Sequence, residues 1–261
     1  MLENNRSENI EYKTPQLAQY YQVNRRRWNE FYPSEQYIFG KVAGEEKQLG
    51  RVLDVGCAAG GLMEALNEKF TVDHYTGVDI NRQCIDIAKQ YQCINDAFHN
   101  STFIHGDILN RDMIRDNYFD NVISLSCADW NIRVNEVINR CWMHVRPRGH
   151  FILTLRLTDK ESILDFKKSY QYINFKNNPP EEATHETAPY IVLNIIDALS
   201  ICKHLNPKPR RITAYGYWGN PSPTAVTPYN RLVFTAISIE KGASVRYETE
   251  LDAVLPLDIL V

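Results

Sequence analysis

The sequence is short of several things, and each absence excludes a class of protein. No apolar run approaches the ~18–20 residues that cross a bilayer. The first residues, Met1-Leu2-Glu3-Asn4-Asn5-Arg6, hold no apolar segment of the secretory kind. None of the 6 cysteines, Cys57, Cys84, Cys93, Cys127, Cys141 and Cys202, stands in a C-x-x-C pair. Zinc-ribbon and thioredoxin-type readings therefore lose their motif. A reduced, cytoplasmic protein is the expectation. An excess of one charge is missing too: the formal net charge is -3 over 261 residues, too little for a general electrostatic grip on nucleic acid. No internal repeat or low-complexity tract occurs. With 44% hydrophobic and 23% charged residues, the chain is not disordered, collagen-like or coiled-coil. Its length fits one large α/β domain or two small ones.

What is present is an alternation. Residues 1 to 48 are polar and aromatic, with Tyr20, Tyr21, Trp28, Phe31 and Tyr32 around the run Arg25-Arg26-Arg27. Their spacing predicts one or two helices broken at Pro33. The arginine run reads as a solvated helix face. Then Arg51-Val52-Leu53-Asp54-Val55 forms a short apolar run, Gly56-Cys57-Ala58-Ala59-Gly60-Gly61 a small-residue loop, and Leu62 to Leu66 a helical stretch. Further strands are predicted at Tyr75 to Asp79, Thr102 to Asp107, Phe119 to Ser126 and Phe151 to Leu155, and a helix at Cys84 to Tyr91. The clearest helix carries Val134, Val137, Ile138, Cys141, Trp142 and Val145 on one stripe. Apolar strands separated by helices imply a parallel sheet covered on both faces. Residues 158 to 189 are irregular, with Pro179-Pro180. Tyr190 to Leu205 reads as a helix. Arg211 to Tyr217 and Leu232 to Ile239 read as two strands, antiparallel because no helix joins them.

A glycine-rich loop between strand and helix offers free backbone N–H groups at a positive helix end. Asp79 ends the second strand, where a carboxylate accepts hydrogen bonds from both ribose hydroxyls and repels a 2′-phosphate. Asp107 ends the third, within reach of an adenine amino group. Gly56-x-Ala58-x-x-Gly61 taken alone also fits a degenerate dinucleotide fingerprint. Asp54 leans the other way, because a carboxylate at that depth suits a cationic amino-acid portion better than a pyrophosphate.

These segments together resemble the class I S-adenosylmethionine-dependent methyltransferases. Val52-Leu53-Asp54-Val55-Gly56-Cys57-Ala58-Ala59-Gly60 is similar to the family's first motif, Gly77-Val78-Asp79-Ile80 to its second, and His105-Gly106-Asp107-Ile108 to its third. Phe119-Asp120-Asn121-Val122-Ile123-Ser124 resembles the fourth, and Arg146-Pro147-Arg148-Gly149 the turn before the fifth strand. The resemblance spans residues 50 to 157, and the two late strands match the family's terminal antiparallel pair. Ala58 stands where the family often has a second glycine.

The resemblance implies a doubly wound, Rossmann-like α/β sheet of seven strands, mostly parallel with the last antiparallel. It implies S-adenosylmethionine as cofactor and no metal. Gly56, Ala58 and Gly60 would shape the turn under the methionine portion, Cys57 would sit near the cofactor, and Asp54 would orient its amino group. Asp79 would hold the ribose, Ile80 pack on the adenine, and Asp107 with Ile108 read its edge, while Ser126 lies near the sulfonium. The division expected is an N-terminal helical lid over 1–48, a methyltransferase domain over 49–240 whose segment 158–189 covers the substrate, and a tail over 241–261. The apolar tail packs on the domain or on a second subunit, making a homodimer.

The expected acceptor is a small molecule, methylated on oxygen or nitrogen. No Asn/Asp-Pro-Pro-aromatic tetrad follows the fourth strand, which argues against methylation of base amino groups, and Cys127 lacks the Pro-Cys context of a cytosine-type thiolate. A general base is needed only where the acceptor keeps its proton at neutral pH. His185, Asp129 and Tyr190 are the candidates, with Trp130, Tyr170 and Tyr172 nearby in sequence. Two other readings stay open: an NAD-linked oxidoreductase on the same sheet, and a protein that binds the cofactor without turnover.

Overall fold

The computed structural model of the chain describes residues 15–173, 186–243 and 248–259. Helix α1 (Pro15–Val23) is followed by α2 (Pro33–Ala43). Pro33 thus opens a helix, where its fixed φ and missing N–H cost nothing, and the Glu35 carboxylate accepts the Tyr32 N–H at 2.7 Å. The alternating part then runs β1 (Gln48–Val55), α3 (Gly61–Asn67), β2 (Thr71–Asp79), α4 (Arg82–Ile94), β3 (Ser101–His105), β4 (Phe119–Ser124), α5 (Val134–His144) and β5 (Val145–Thr158). Asn81 caps α4 by accepting from Cys84 N at 3.1 Å. The rest comprises β6 (Tyr170–Tyr172), β7 (Thr187–Pro189), β8 (Leu193–Asn194), α6 (Ile195–Lys203), β9 (Pro209–Gly219), β10 (Ala225–Val226), β11 (Leu232–Lys241) and β12 (Glu250–Val254).

The main sheet has the order β12-β9-β11-β5-β4-β1-β2-β3, with β8 pairing β5 outside that path. Strand β11 runs against β5 and β9, and the other pairings in this sheet are parallel. The expected seven strands with a reversed member are present, but the sheet has nine. The two-residue β8 was too short to show a period, and β12 alternates nothing because all five of its residues are exposed. The helix expected over Tyr190 to Leu205 is confined to α6. Ahead of it, β7 joins β10 and β6 in a small antiparallel sheet.

Two apolar layers flank the main sheet. Alternate residues of β1 divide between them: Val52 joins Ile38, Phe39, Met63 and Ile85 of α2, α3 and α4, whereas Leu53 joins Val137, Trp142 and Ala198 of α5 and α6. Trp142 is fully buried, and its indole N–H donates to Pro207 O at 2.9 Å. Trp142→Phe keeps a ring but leaves that carbonyl without its donor and opens a void. Denaturant unfolding should show a loss of about 1–2 kcal/mol. An unchanged midpoint would mean that the site repacks.

Candidate active site

The loop after β1 is shaped by three left-handed residues, Gly56 (φ 79°), Ala58 (φ 46°) and Gly60 (φ 76°). Gly56 N and Cys57 N donate to Val78 O at 2.8 and 3.1 Å, tying the loop to β2. A Cβ on residue 56 would lie 2.5 Å from Cys127 Sγ. Gly56→Ala combines that overlap with a backbone conformation that alanine resists. It should cost about 1–3 kcal/mol in stability and weaken any ligand held by the loop. A thermal melt with and without ligand checks both. Ala58 already pays for its strained φ, and its N–H donates to Asp79 Oδ2 at 2.9 Å.

The carboxyl ends of β1, β2 and β3 bring Asp54, Asp79 and Asp107 to one cleft, which they line together with Gly56, Cys57, Ala58, Ile80, Ile108 and Ser126. Asp54 is 3% exposed and accepts a hydrogen bond from the Tyr75 hydroxyl. Burial pushes its carboxyl up to about 7, against the pull of the Tyr75 bond and with the nearby Asp79 charge adding to the rise. Asp79 is raised by burial as well, opposed by the amides of Asn81 (2.7 Å) and Ala58. Asp107 accepts from Leu109 N at 2.9 Å. Gly60 departs from the others: it is turned toward Phe103, whose ring would sit 2.9 Å from an added Cβ. Ser126 holds φ 47°, and its N–H donates to Thr154 Oγ1 at 2.6 Å.

The N-terminal segment closes the cleft from above with Leu17, Tyr21, Asn24, Arg25 and Phe31. This overturns the solvated-face reading of the arginine run. α1 ends at Val23, so the run is not helical. Arg25 bonds Glu35 at 2.8 Å and stacks 4.2 Å from Phe31. Arg26 pairs with Glu64 at 2.7 Å and lies 4.0 Å from the Tyr91 ring. Only Arg27 of the three has a mostly exposed side chain, 74%, and it meets Glu68 at 3.3 Å. The approach is close: Arg25 O would stand 2.4 Å from a Cβ on Gly61. Within the segment 1–48 expected as a lid, nothing in the sequence singled out Arg25, Tyr21 and Phe31 as the residues that face the cleft, because their partners lie on other elements.

Of the candidate bases, His185 lies outside the described residues. Tyr170 and Tyr172 sit in β6 of the small sheet. Asp129 and Tyr190 are buried, 4% and 2% exposed, and meet through Arg156: its Nε lies 2.9 Å from Asp129 Oδ2, and its guanidinium 3.7 Å over the Tyr190 ring. Trp130 lines the cleft beside them. The Cys127 thiol is held well above its ordinary range by burial, which suits packing and not nucleophilic attack. Among the described residues no three His, Cys, Asp or Glu side chains gather to hold a metal, and no helix is long and apolar enough to cross a membrane.

Residues 52–149 match a family model described as a methyltransferase domain. The malonyl-[acyl-carrier protein] O-methyltransferase of Bacillus cereus is 27% identical over 129 residues, 49% of this chain and 46% of the relative. The sterol 24-C-methyltransferase erg-4 of Neurospora crassa is 30% identical over 117 residues, 45% of this chain and 30% of the relative. The chain therefore spans less than half the length of these two curated relatives. A solved S-adenosylmethionine-dependent methyltransferase from Methanosarcina mazei superposes with a TM-score of 0.56 at 15% identity, covering 82% of this chain and 99% of its own. That likeness extends the shared fold well past the matched segment. Residues 52–149 thus form a methyltransferase domain, set in a sheet whose fold, reversed strand included, is similar to that of the solved S-adenosylmethionine-dependent enzyme.

Proposed function

We propose that the chain transfers a methyl group from S-adenosylmethionine to an oxygen or nitrogen of a small molecule, in the cytoplasm. The supporting observation is that Asp54, Asp79 and Asp107 line one cleft together with the loop residues Gly56, Cys57, Ala58 and Ala59. The cofactor needs three such acceptors: one for an ammonium, one for a vicinal diol and one for an aromatic amine. Asp54 is assigned the ammonium. Each oxygen of Asp79 already takes one backbone N–H and keeps a lone pair for a ribose hydroxyl. Asp107 and the Ile108 backbone take the adenine edge, with Ile80 against its face. Arg25, on the cleft wall near Asp54, supplies a counter-charge for the carboxylate of the same amino-acid portion.

The sulfonium supplies a methyl group with a neutral leaving group already attached. The protein is left to orient the acceptor and keep out water. Tyr21, Arg25 and Phe31 serve that exclusion by roofing the cleft. Titration calorimetry with S-adenosylhomocysteine tests the reading, with micromolar or tighter binding expected. No heat of binding, together with a change in NADH fluorescence on mixing, would replace it with a nicotinamide enzyme.

A further inference from the structure

Asp54 is held from inside the sheet by a side chain that lies outside the loop motif. Strand register sets Asp54 of β1, Gly77 of β2 and Phe103 of β3 abreast, with Tyr75 two residues before Gly77 and opposite Val52. Positions 75 and 77 therefore share the face that carries Asp54. Gly77 keeps the middle of that row open: a Cβ there would stand 2.8 Å from Cys57 Sγ and 2.9 Å from the Phe103 ring. The Tyr75 ring is fully buried, with its centroid 5.9 Å from that of Phe103. Its hydroxyl donates across the strands to Asp54 Oδ2. Among the described residues Asp54 takes a hydrogen bond on that oxygen alone, which leaves Oδ1 to a ligand in the cleft that Asp54 lines.

The charges around this carboxyl group do little to keep it ionised. Burial opposes the charge, and so does Asp79 at the end of β2. His105 of β3 acts on Asp79. Arg25, from the segment after α1, favours the charge, but its guanidinium is already paired with Glu35 of α2 at 2.8 Å. Burial keeps the Cys57 thiol of the loop neutral. Tyr75 is left as the donor, because a tyrosine hydroxyl has one proton to give and this one goes to Asp54. Burial and the Asp54 charge hold that hydroxyl well above its ordinary range, so it keeps its proton. A hydrogen bond to a carboxylate is stronger than one to a neutral acid, and it favours the charged form. We propose that Tyr75 is a positioning residue for the cofactor: its hydroxyl holds Asp54 as a carboxylate and engages one of its oxygens, so that the other meets the ammonium of the amino-acid portion.

This rests on the methyltransferase reading and on the ammonium assigned there to Asp54. Tyr75 is buried behind the cleft wall and is not part of its lining, so whatever it does for a ligand passes through Asp54. Two ligands separate that role from a structural one. S-adenosylhomocysteine carries the amino-acid portion, whereas 5′-methylthioadenosine keeps the adenosine and the sulfur without it. Affinities of both for wild type and Tyr75→Phe are measured by calorimetry from pH 6 to pH 8.5.

Removing one hydrogen bond from a buried carboxylate raises its pKa by about one unit. Tyr75→Phe should therefore bind S-adenosylhomocysteine about tenfold more weakly than wild type at pH 6, and within about twofold of it at pH 8.5, where both proteins hold the carboxylate. Methylthioadenosine should bind the two proteins alike at every pH. The variant keeps the ring on Phe103 and loses only the hydroxyl. Where it does not fold, 3-fluorotyrosine in place of Tyr75 gives the opposite sign: its hydroxyl is a stronger donor and should tighten S-adenosylhomocysteine about twofold at pH 6. A loss of the same size at every pH, a loss shared by methylthioadenosine, or an unchanged affinity at pH 6 overturns the role of Tyr75. Failure of wild type to bind either ligand overturns the methyltransferase reading instead.

Discussion

Asp79→Ala will lower the affinity for S-adenosylhomocysteine by about 100-fold or more. On the proposed placement of the ribose, two hydrogen bonds from its hydroxyls to the carboxylate are lost together, each worth about 1.5–3 kcal/mol, and every 1.4 kcal/mol is a factor of ten. The same change frees the amides of Ala58 and Asn81, which Asp79 now accepts at 2.9 and 2.7 Å. The loop after β1 and the start of α4 therefore lose a shared tether. Asp79→Asn separates the two effects: one amide oxygen still accepts, while its NH2 faces a donor. It should fall between wild type and alanine. Calorimetry gives the affinities, and circular dichroism confirms that the variants fold. A loss under fivefold for alanine would remove Asp79 from the ribose.

The second large effect is a pH dependence centred on Asp54. Its carboxyl is raised to about 7, mainly by burial. The folded, ligand-free protein therefore holds a proton that the unfolded chain releases near pH 4. Stability falls as pH rises from about 4 to about 7 and bears the full cost above that window. Asp54→Asn removes the titration. The ligand-free variant should be more stable than wild type at pH 8, and the gain should shrink as pH drops toward 5. Cofactor binding behaves oppositely, because an ammonium ligand needs the carboxylate. Wild-type affinity should fall about tenfold per pH unit below 7, and the same variant should lose that slope along with most of its affinity. Thermal melts and calorimetry across pH 5–8 test both halves. A flat affinity profile in wild type would mean that Asp54 is ionised before the ligand arrives, or does not meet the ammonium.

The alternating core and the acids at its rim were legible because strand, turn and helix each leave a local period. Asp54, Asp79 and Asp107 could be aligned by their place at strand ends. The contacts that close the cleft had no such signature. Arg26 meets Glu64, 38 positions on, while Arg156 meets Asp129, 27 positions back, and neither spacing belongs to a helix or a hairpin. Three adjacent arginines look solvated until three separate glutamates receive them. The stretch before α6 departs from the predicted helix for a related reason. Tyr190, Ile191, Val192 and Leu193 are all buried, and an unbroken apolar run fits a buried helix and a buried strand equally.

Strand β12 has its own consequence. It pairs with β9 from Glu250↔Arg211 to Val254↔Tyr215, and Asp258 clasps the Trp218 indole at 2.7 Å and Arg231 at 3.0 Å. The outermost ladder of the molecule is therefore short and acidic, bearing Glu250 and Asp252, which makes it a poor template for a neighbour's strand. A chain shortened to Lys241 would bare the five residues Arg211 to Tyr215 that β12 covers and leave the eleven-residue β9 as the new border. Such a molecule should be prone to edge-to-edge aggregation while its cofactor cleft stays whole.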